Sequence, residues 1–157
     1  MTANVTNVVV AGLGGQGVLK ASDILAEAAF RAGLDVKKAE VHGMSQRGGS
    51  VNSDVRFGRS VLSPMIPDSE ADFLLVLSDD QVENNRHRLR EGGMLIEPSS
   101  FPKEALSNPK TLNIALLGIL SKHLDLDESI WIESIRDNLL EKIYEVNKKA
   151  FLAGRQS

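Results

Sequence analysis

A short β-branched run leads directly into a cluster of glycines, and this junction limits the folds open to the chain. Asn7 to Ala11 has the sequence NVVVA, which is typical of a strand buried on both faces. Glycines follow at positions 12, 14, 15 and 17, and from Val18 the apolar residues recur with helical spacing. The junction therefore predicts a strand, a tight glycine turn and a helix, which is the opening of an α/β fold.

The remaining segments continue this alternation. Further strands are predicted at 35–43, 51–58, 72–78 and 94–98, the one at 51–58 half exposed, and a helix is predicted over 79–93. The first two strands are expected to pair in parallel as a βαβ unit. Three helices are predicted at 111–124, at 127–139 and from about 141 toward 154. The predicted fold is one Rossmann-like, three-layer α/β domain over 1–157, with a mostly parallel sheet, helices on its faces and C-terminal helices.

The first glycine segment fits the pattern G-x-G-x-x-G and comprises Gly12, Gly14, Gly15, Gln16 and Gly17. Such a loop lets a phosphate approach bare backbone N–H groups at a helix N-terminus. Glu40, near the end of the next predicted strand, would complete a dinucleotide-binding pattern. Close packing of helix on sheet, or a protein contact, explains the same glycines, and the sequence leaves these three interpretations open.

A second glycine-rich segment follows the second predicted strand. It ends in Gln46, Arg47, Gly48, Gly49 and Ser50. Because the carboxyl ends of parallel strands share one sheet edge, we expect this loop beside the first. Arg47 can present a bidentate fork to a phosphate or carboxylate. The residues alone do not separate a ligand loop from a subunit contact.

Composition excludes several classes of function. The chain has no cysteine, so it cannot hold an iron–sulfur cluster through its own thiolates. A net charge of −3 without a basic run argues against nucleic acid binding. The N-terminus lacks a signal-peptide pattern and no apolar run approaches membrane-spanning length, so a cytoplasmic protein without a membrane partner is expected. No nucleophile with a matching base and no metal-ligand cluster is evident, so any reactive chemistry is expected from a cofactor or another chain.

Longer segments resemble a known family. VVVAGLGGQGVLKASDILAEAAFRAG, VHGMSQRGGSVNSDVRFG, SPMIP, EADFLLVLS and NIALLGIL are similar to the gamma subunit of 2-oxoacid:acceptor (ferredoxin) oxidoreductases. The form GMSQRGGSV is most similar to the beta subunit of indolepyruvate ferredoxin oxidoreductase. The resemblance covers about residues 5 to 124, and the paired motifs GxGGQG and QRGGS carry it.

The resemblance implies a subunit of an enzyme that oxidatively decarboxylates a 2-oxoacid to an acyl-CoA. Thiamine diphosphate and iron–sulfur clusters would lie mainly on partner chains, which pass electrons to ferredoxin. This chain would bind no cofactor firmly and would contribute the two loops, Gly12 to Gly17 and Gln46 to Ser50, facing coenzyme A or a subunit. The isolated chain is expected to be inactive and free to form a homodimer.

One segment departs from the family pattern. Between Pro98 and Asn113 the chain is short, where family members usually carry another strand and a proline-containing loop. The competing interpretations are a free-standing dinucleotide-binding oxidoreductase, using Gly12 to Gly17 and Glu40, and a small-ligand-binding module.

Overall fold

A computed structural model describes residues 5–42 and 49–157. Its five strands are β1 (Val5–Leu13), β2 (Asp35–His42), β3 (Ser50–Gly58), β4 (Ala71–Val76) and β5 (Leu89–Ile96). Its helices are α1 (Val18–Arg31), the short α2 (Val82–Asn85), α3 (Leu112–Ser121), α4 (Glu128–Asn138) and α5 (Glu141–Gln156). The open α/β class predicted from the sequence is confirmed.

The sheet is mixed and not mostly parallel as predicted, since two of its four strand pairs are antiparallel, and its strand order is β2-β3-β1-β4-β5. β1 pairs in parallel with β4, and β4 with β5, whereas β3 is antiparallel to both β1 and β2. The predicted parallel pair of β1 and β2 is therefore wrong, because β3 lies between them. Burial explains why β3 lies inside the sheet and β2 at its edge. β3 is mostly buried, whereas β2 carries Lys37, Lys38 and Glu40, whose charges suit an exposed edge strand.

The four longer helices lie on one face of the sheet. Val8 and Val10 of β1 point into the core that α1, α3, α4 and α5 share. Val9 and Ala11 point to the other face, where they meet Ile66 from the 59–70 connection and Val82 of α2. All four of these β1 residues are fully buried, as the sequence predicts. We call the side opposite the long helices the second face of the sheet.

Two local predictions are wrong. The expected helix over 79–93 is broken into 3₁₀ turns and the four-residue α2, and Leu89 already begins β5. Pairing of Leu89–Ile96 with β4 takes these residues, so Gly92 and Gly93 lie within a strand instead of ending a helix. The strand at 51–58 is mostly buried and not half exposed, because the 59–70 connection covers its second face.

The connection from β5 to α3 is short and contains three 3₁₀ turns, at Pro98–Ser100, Lys103–Ala105 and Pro109–Thr111. No strand occurs between Glu97 and Thr111, and β5 is the edge of the described sheet on that side. In the ranges 5–42 and 49–157, no helix is long and apolar enough to cross a membrane.

Candidate functional site: the glycine loops

The first loop is closed by its own glutamine. β1 ends at Leu13, and the Leu13 N–H donates to Oε1 of Gln16 at 2.7 Å, while the Gln16 N–H donates to the Leu13 carbonyl at 3.1 Å. Gly15 and Gly17 both have φ of +88°, a conformation that favours glycine. The side-chain oxygen of Gln16 therefore shapes the loop, and α1 begins immediately after Gly17.

Glycine is needed at different positions of this loop for different physical reasons. A Cβ on Gly12 would lie 2.9 Å from both Gln16 Oε1 and Val18 Cγ2, so this position packs strand against helix. A Cβ on Gly17 would lie 2.3 Å from Nδ2 of Asn113. A Cβ on Gly15 would meet nothing within 4 Å, so only its backbone conformation requires glycine. Packing thus explains why positions 12 and 17 are glycine, whereas the space above Gly15 is open.

Asn113 contacts the first loop from α3, and the sequence interpretation missed this residue. It is buried in α3, and its Nδ2 donates to the Gly17 carbonyl at 3.2 Å across 96 residues of chain. The hydrogen bond fixes the position of the α1 N-terminus relative to α3. The available signal was an asparagine at the start of the otherwise apolar segment NIALLGIL.

The two glycine motifs meet where β1 ends and β3 begins. The Gly14 N–H donates to the Gly49 carbonyl at 2.9 Å, and Leu13 is paired with Ser50 in the β1–β3 ladder. Gln46, Arg47 and Gly48 lie outside the described residues. Gly49 and Ser50 therefore adjoin the first loop, while the binding roles predicted for both motifs stay predictions.

The start of α1 has the physical character of an anion site. The first backbone N–H groups of a helix have no intrahelical partner, and the helix dipole adds positive potential there. The first turn of α1 contains no acidic side chain, Lys20 is exposed, and Gly14 and Gly15 are exposed beside it. Bare N–H groups with a neighbouring cation suit a phosphate or carboxylate.

Glu40 does not occupy the place that dinucleotide binding requires. It lies on the edge strand β2, and β3 separates it from β1 and its loop. Its carboxylate pairs with Lys38, which also contacts Asp23 at 2.6 Å. Partial burial lowers the pKa of Lys38, but the hydrogen bonds to Asp23 and Glu40 outweigh it, so that pKa lies above its usual value. The geometry therefore assigns Glu40 to an ion pair.

Alanine at Gly15 and at Gly17 is expected to destabilise the fold unequally. Alanine at φ of +88° costs about 1–2 kcal/mol at either position. At Gly17 it also displaces Asn113, which adds the loss of a hydrogen bond of about 1 kcal/mol. Urea unfolding would measure both, with Gly33→Ala, at φ of +90° in open space, as the strain-only control. Equal losses in all three variants would contradict the role given to Asn113.

Comparison with known proteins places the chain in a family. Residues 7–104 match the family described as "Pyruvate ferredoxin/flavodoxin oxidoreductase". The chain is 34% identical to "Indolepyruvate oxidoreductase subunit IorB" of Thermococcus kodakarensis, over 94% of this chain and 93% of that protein. It is 30% identical to the subunit of the same name from Methanothermobacter thermautotrophicus, over 94% and 95% of the two chains. The first alignment spans 190 positions, more than the 157 residues of this chain, so the relative carries additional residues.

Solved structures share the fold. The gamma subunit of keto/oxoacid ferredoxin oxidoreductase from Geobacter sulfurreducens PCA superposes with a TM-score of 0.81, at 24% identity and 96% coverage of both chains. The 2-oxoglutarate:ferredoxin oxidoreductase of Magnetococcus marinus, with 2-oxoglutarate, coenzyme A and succinyl-CoA bound, gives 0.85 at 21% identity. That match covers 99% of this chain but 31% of the longer one. Taken with the sequence matches, these findings show that the chain belongs to the pyruvate ferredoxin/flavodoxin oxidoreductase family.

Proposed function

We propose that the chain is the small, gamma-type subunit of a 2-oxoacid:ferredoxin oxidoreductase, an enzyme that converts a 2-oxoacid to an acyl-CoA in the cytoplasm. One observation carries this proposal: the end-to-end similarity to IorB, at 34% identity with more than nine tenths of both chains aligned. Four relatives bear that name, so an aromatic 2-oxoacid such as indolepyruvate is the first substrate to test.

The proposal assigns the redox chemistry to partner chains. An iron–sulfur cluster needs cysteine thiolates, and this chain has none. No group of three or more histidine, aspartate or glutamate side chains with metal-binding geometry occurs in residues 5–42 or 49–157. Thiamine diphosphate and the clusters would accordingly be held by larger subunits, which would also meet ferredoxin.

The two glycine loops are proposed to face coenzyme A or an adjoining subunit. The proposed contacts are Gly12, Gly14, Gly15, Gln16 and Gly17 together with Gln46, Arg47, Gly48, Gly49 and Ser50. Coenzyme A supplies the thiol that takes up the acyl group, and its phosphates are anions that suit the start of α1. The open space above Gly15 and the absence of acidic side chains in the first turn support this role.

Gentle anaerobic purification from the native host tests the proposed function. The tagged chain is expected to elute with larger subunits, iron and thiamine diphosphate, and with 2-oxoacid-dependent dye reduction that requires coenzyme A. Measuring the mass of the assembly and the rate with each 2-oxoacid gives stoichiometry and substrate from one sample. A chain that elutes alone, without cofactor and inactive with every 2-oxoacid, would overturn the proposal.

In the assembled enzyme, Arg47→Ala is expected to raise the KM for coenzyme A or to loosen the complex. A charge-assisted hydrogen bond contributes about 1.5–3 kcal/mol, which corresponds to a change of about 10- to 150-fold. Steady-state kinetics and analytical ultracentrifugation separate the two effects. Arg59→Ala is the control, since Arg59 is exposed just beyond the end of β3, at the opposite end from Ser50. Unchanged kinetics and assembly in Arg47→Ala would remove this residue from the site.

A further inference from the structure

The two edge strands of the sheet, β2 and β5, differ in regularity. The pairing of β5 with β4 shifts its register between Ala71 and Phe73, and Gly92 within β5 has a φ of +81°. Irregularities of this kind hinder the pairing of an edge strand with another chain. β2 instead pairs with β3 residue by residue over all of Asp35–His42. Its outer edge is therefore regular over eight residues, and no strand in 5–42 or 49–157 pairs with it.

The charges on β2 are balanced. Charged side chains ordinarily discourage the pairing of edge strands, but here two lysines, Lys37 and Lys38, accompany two carboxylates, Asp35 and Glu40. Nζ of Lys37 lies 3.7 Å from Oδ1 of Asp35. Nζ of Lys38 pairs with Glu40 and lies 2.6 Å from Oδ1 of Asp23 in α1. The strand thus carries no net charge that would repel a second copy of itself.

The side of β2 that faces α1 has room for a neighbouring strand. Val36 and Lys38 point to this side, where Val36 packs against the core and Lys38 reaches α1. An open cleft of about 680 Å³ lies between these two side chains and α1, and Phe30 in its wall is 70% exposed. α1 therefore leaves this side of the strand open, and the side chains of a strand laid beside β2 can enter the cleft.

We propose that β2 pairs in antiparallel orientation with β2 of a second copy of this chain, about a two-fold axis at Ala39. Facing residues of an antiparallel pair lie on the same face of a sheet, so Lys38 of each copy faces Glu40 of the other. Moving the axis by one residue sets Lys38 against Lys38 or Glu40 against Glu40. Like charges directly opposite each other are destabilising, so the charges of β2 select the register centred on Ala39.

This pairing joins the two five-stranded sheets into one sheet with a closed two-fold interface. β3 separates β2 from β1 and its glycine loop, so the interface lies apart from the start of α1. The inference goes beyond the proposed function and does not depend on it, because the pairing needs only this chain.

Glu40→Lys tests the contact between facing charges. Analytical ultracentrifugation of the chain on its own is expected to show a dimer for the wild type. In Glu40→Lys lysines face each other on both sides of the axis, and the dissociation constant of the dimer is expected to rise at least tenfold. Glu91→Lys makes the same charge change at an exposed position of the other edge strand, β5, and is expected to dimerise like the wild type. A monomeric wild type, or equal dimerisation of both variants, would overturn the inference.

A single cysteine at the axis provides a test that does not depend on how Glu40→Lys folds. The chain has no cysteine, so Ala39→Cys carries its only thiol at the proposed axis. Facing Cα atoms in an antiparallel pair are about 4.5–5.5 Å apart, which suits a disulfide. Lys37→Cys is the control on the same strand and face, since its two copies would be offset by about 14 Å along the strands.

Mild oxidation is expected to link Ala39→Cys into covalent dimers at least tenfold faster than Lys37→Cys. Linkage of Ala39→Cys no faster than that of Lys37→Cys would overturn the inference. The purification from the native host tests the proposed function separately. A dimer that elutes without larger subunits would overturn that proposal and leave this inference standing.

Discussion

Gly154→Ala is expected to destabilise the protein by about 3 kcal/mol, near the upper end of the range for overpacking a core. A Cβ at this position would lie 1.9 Å from the carbonyl oxygen of Ala115, and one at Gly118 would lie 2.2 Å from that of Phe151. The obstructing atoms belong to helix backbone, so α3 and α5 would have to move apart. Denaturant unfolding followed by circular dichroism measures the change.

The sign of this effect distinguishes packing from helix propensity. Alanine is about 1 kcal/mol more favourable than glycine inside a helix, so propensity alone predicts that Gly154→Ala stabilises α5. Lys149→Ala, at an exposed position of the same helix, is the control and is expected to stay within about 0.5 kcal/mol of the wild type. A higher unfolding midpoint for Gly154→Ala would mean that the two helices are not in close backbone contact.

Local sequence patterns predicted the elements that depend on nearest neighbours. The apolar run at Val8–Val10 marks the central strand, and the periodicity after Val18 marks α1, because burial of these side chains follows directly from spacing. The order of the strands in the sheet could not be predicted from these local patterns. The insertion of β3 between β1 and β2 depends on which strand tolerates an edge, and that comparison involves segments far apart in sequence.

The candidate site likewise combines a feature that local sequence predicts with a contact between distant segments that it does not. The glycine loop was evident from its residues, whereas the contact of Asn113 with Gly17 joins positions 96 residues apart, so the lone asparagine in NIALLGIL does not indicate its partner. The prediction of a helix over 79–93 was wrong for a related reason. Pairing of Leu89–Ile96 with β4 overrides the local helical preference of this segment.

Arg88→Met is expected to destabilise the protein by about 3–5 kcal/mol, the range for removing one partner of a buried ion pair. Asp54 is 2% exposed, and its carboxylate bonds Arg88 and the Ile66 N–H at 2.8 and 3.0 Å. Without Arg88 the charge of Asp54 stays buried with one backbone donor, and the 59–70 connection loses an anchor, because Arg88 also donates to the Ile66 carbonyl at 3.1 Å.

A matched control lies two residues away. Arg86 pairs with Glu83 at 2.9 Å, but both side chains are largely exposed, so Arg86→Met is expected to leave the unfolding midpoint close to that of the wild type. Urea unfolding of both variants compares a buried with an exposed arginine under the same substitution. Adding Asp54→Leu to Arg88→Met is expected to recover much of the loss, because two apolar side chains leave no unpaired charge. Similar losses for Arg86→Met and Arg88→Met would show that the Asp54–Arg88 pair does not anchor the second face.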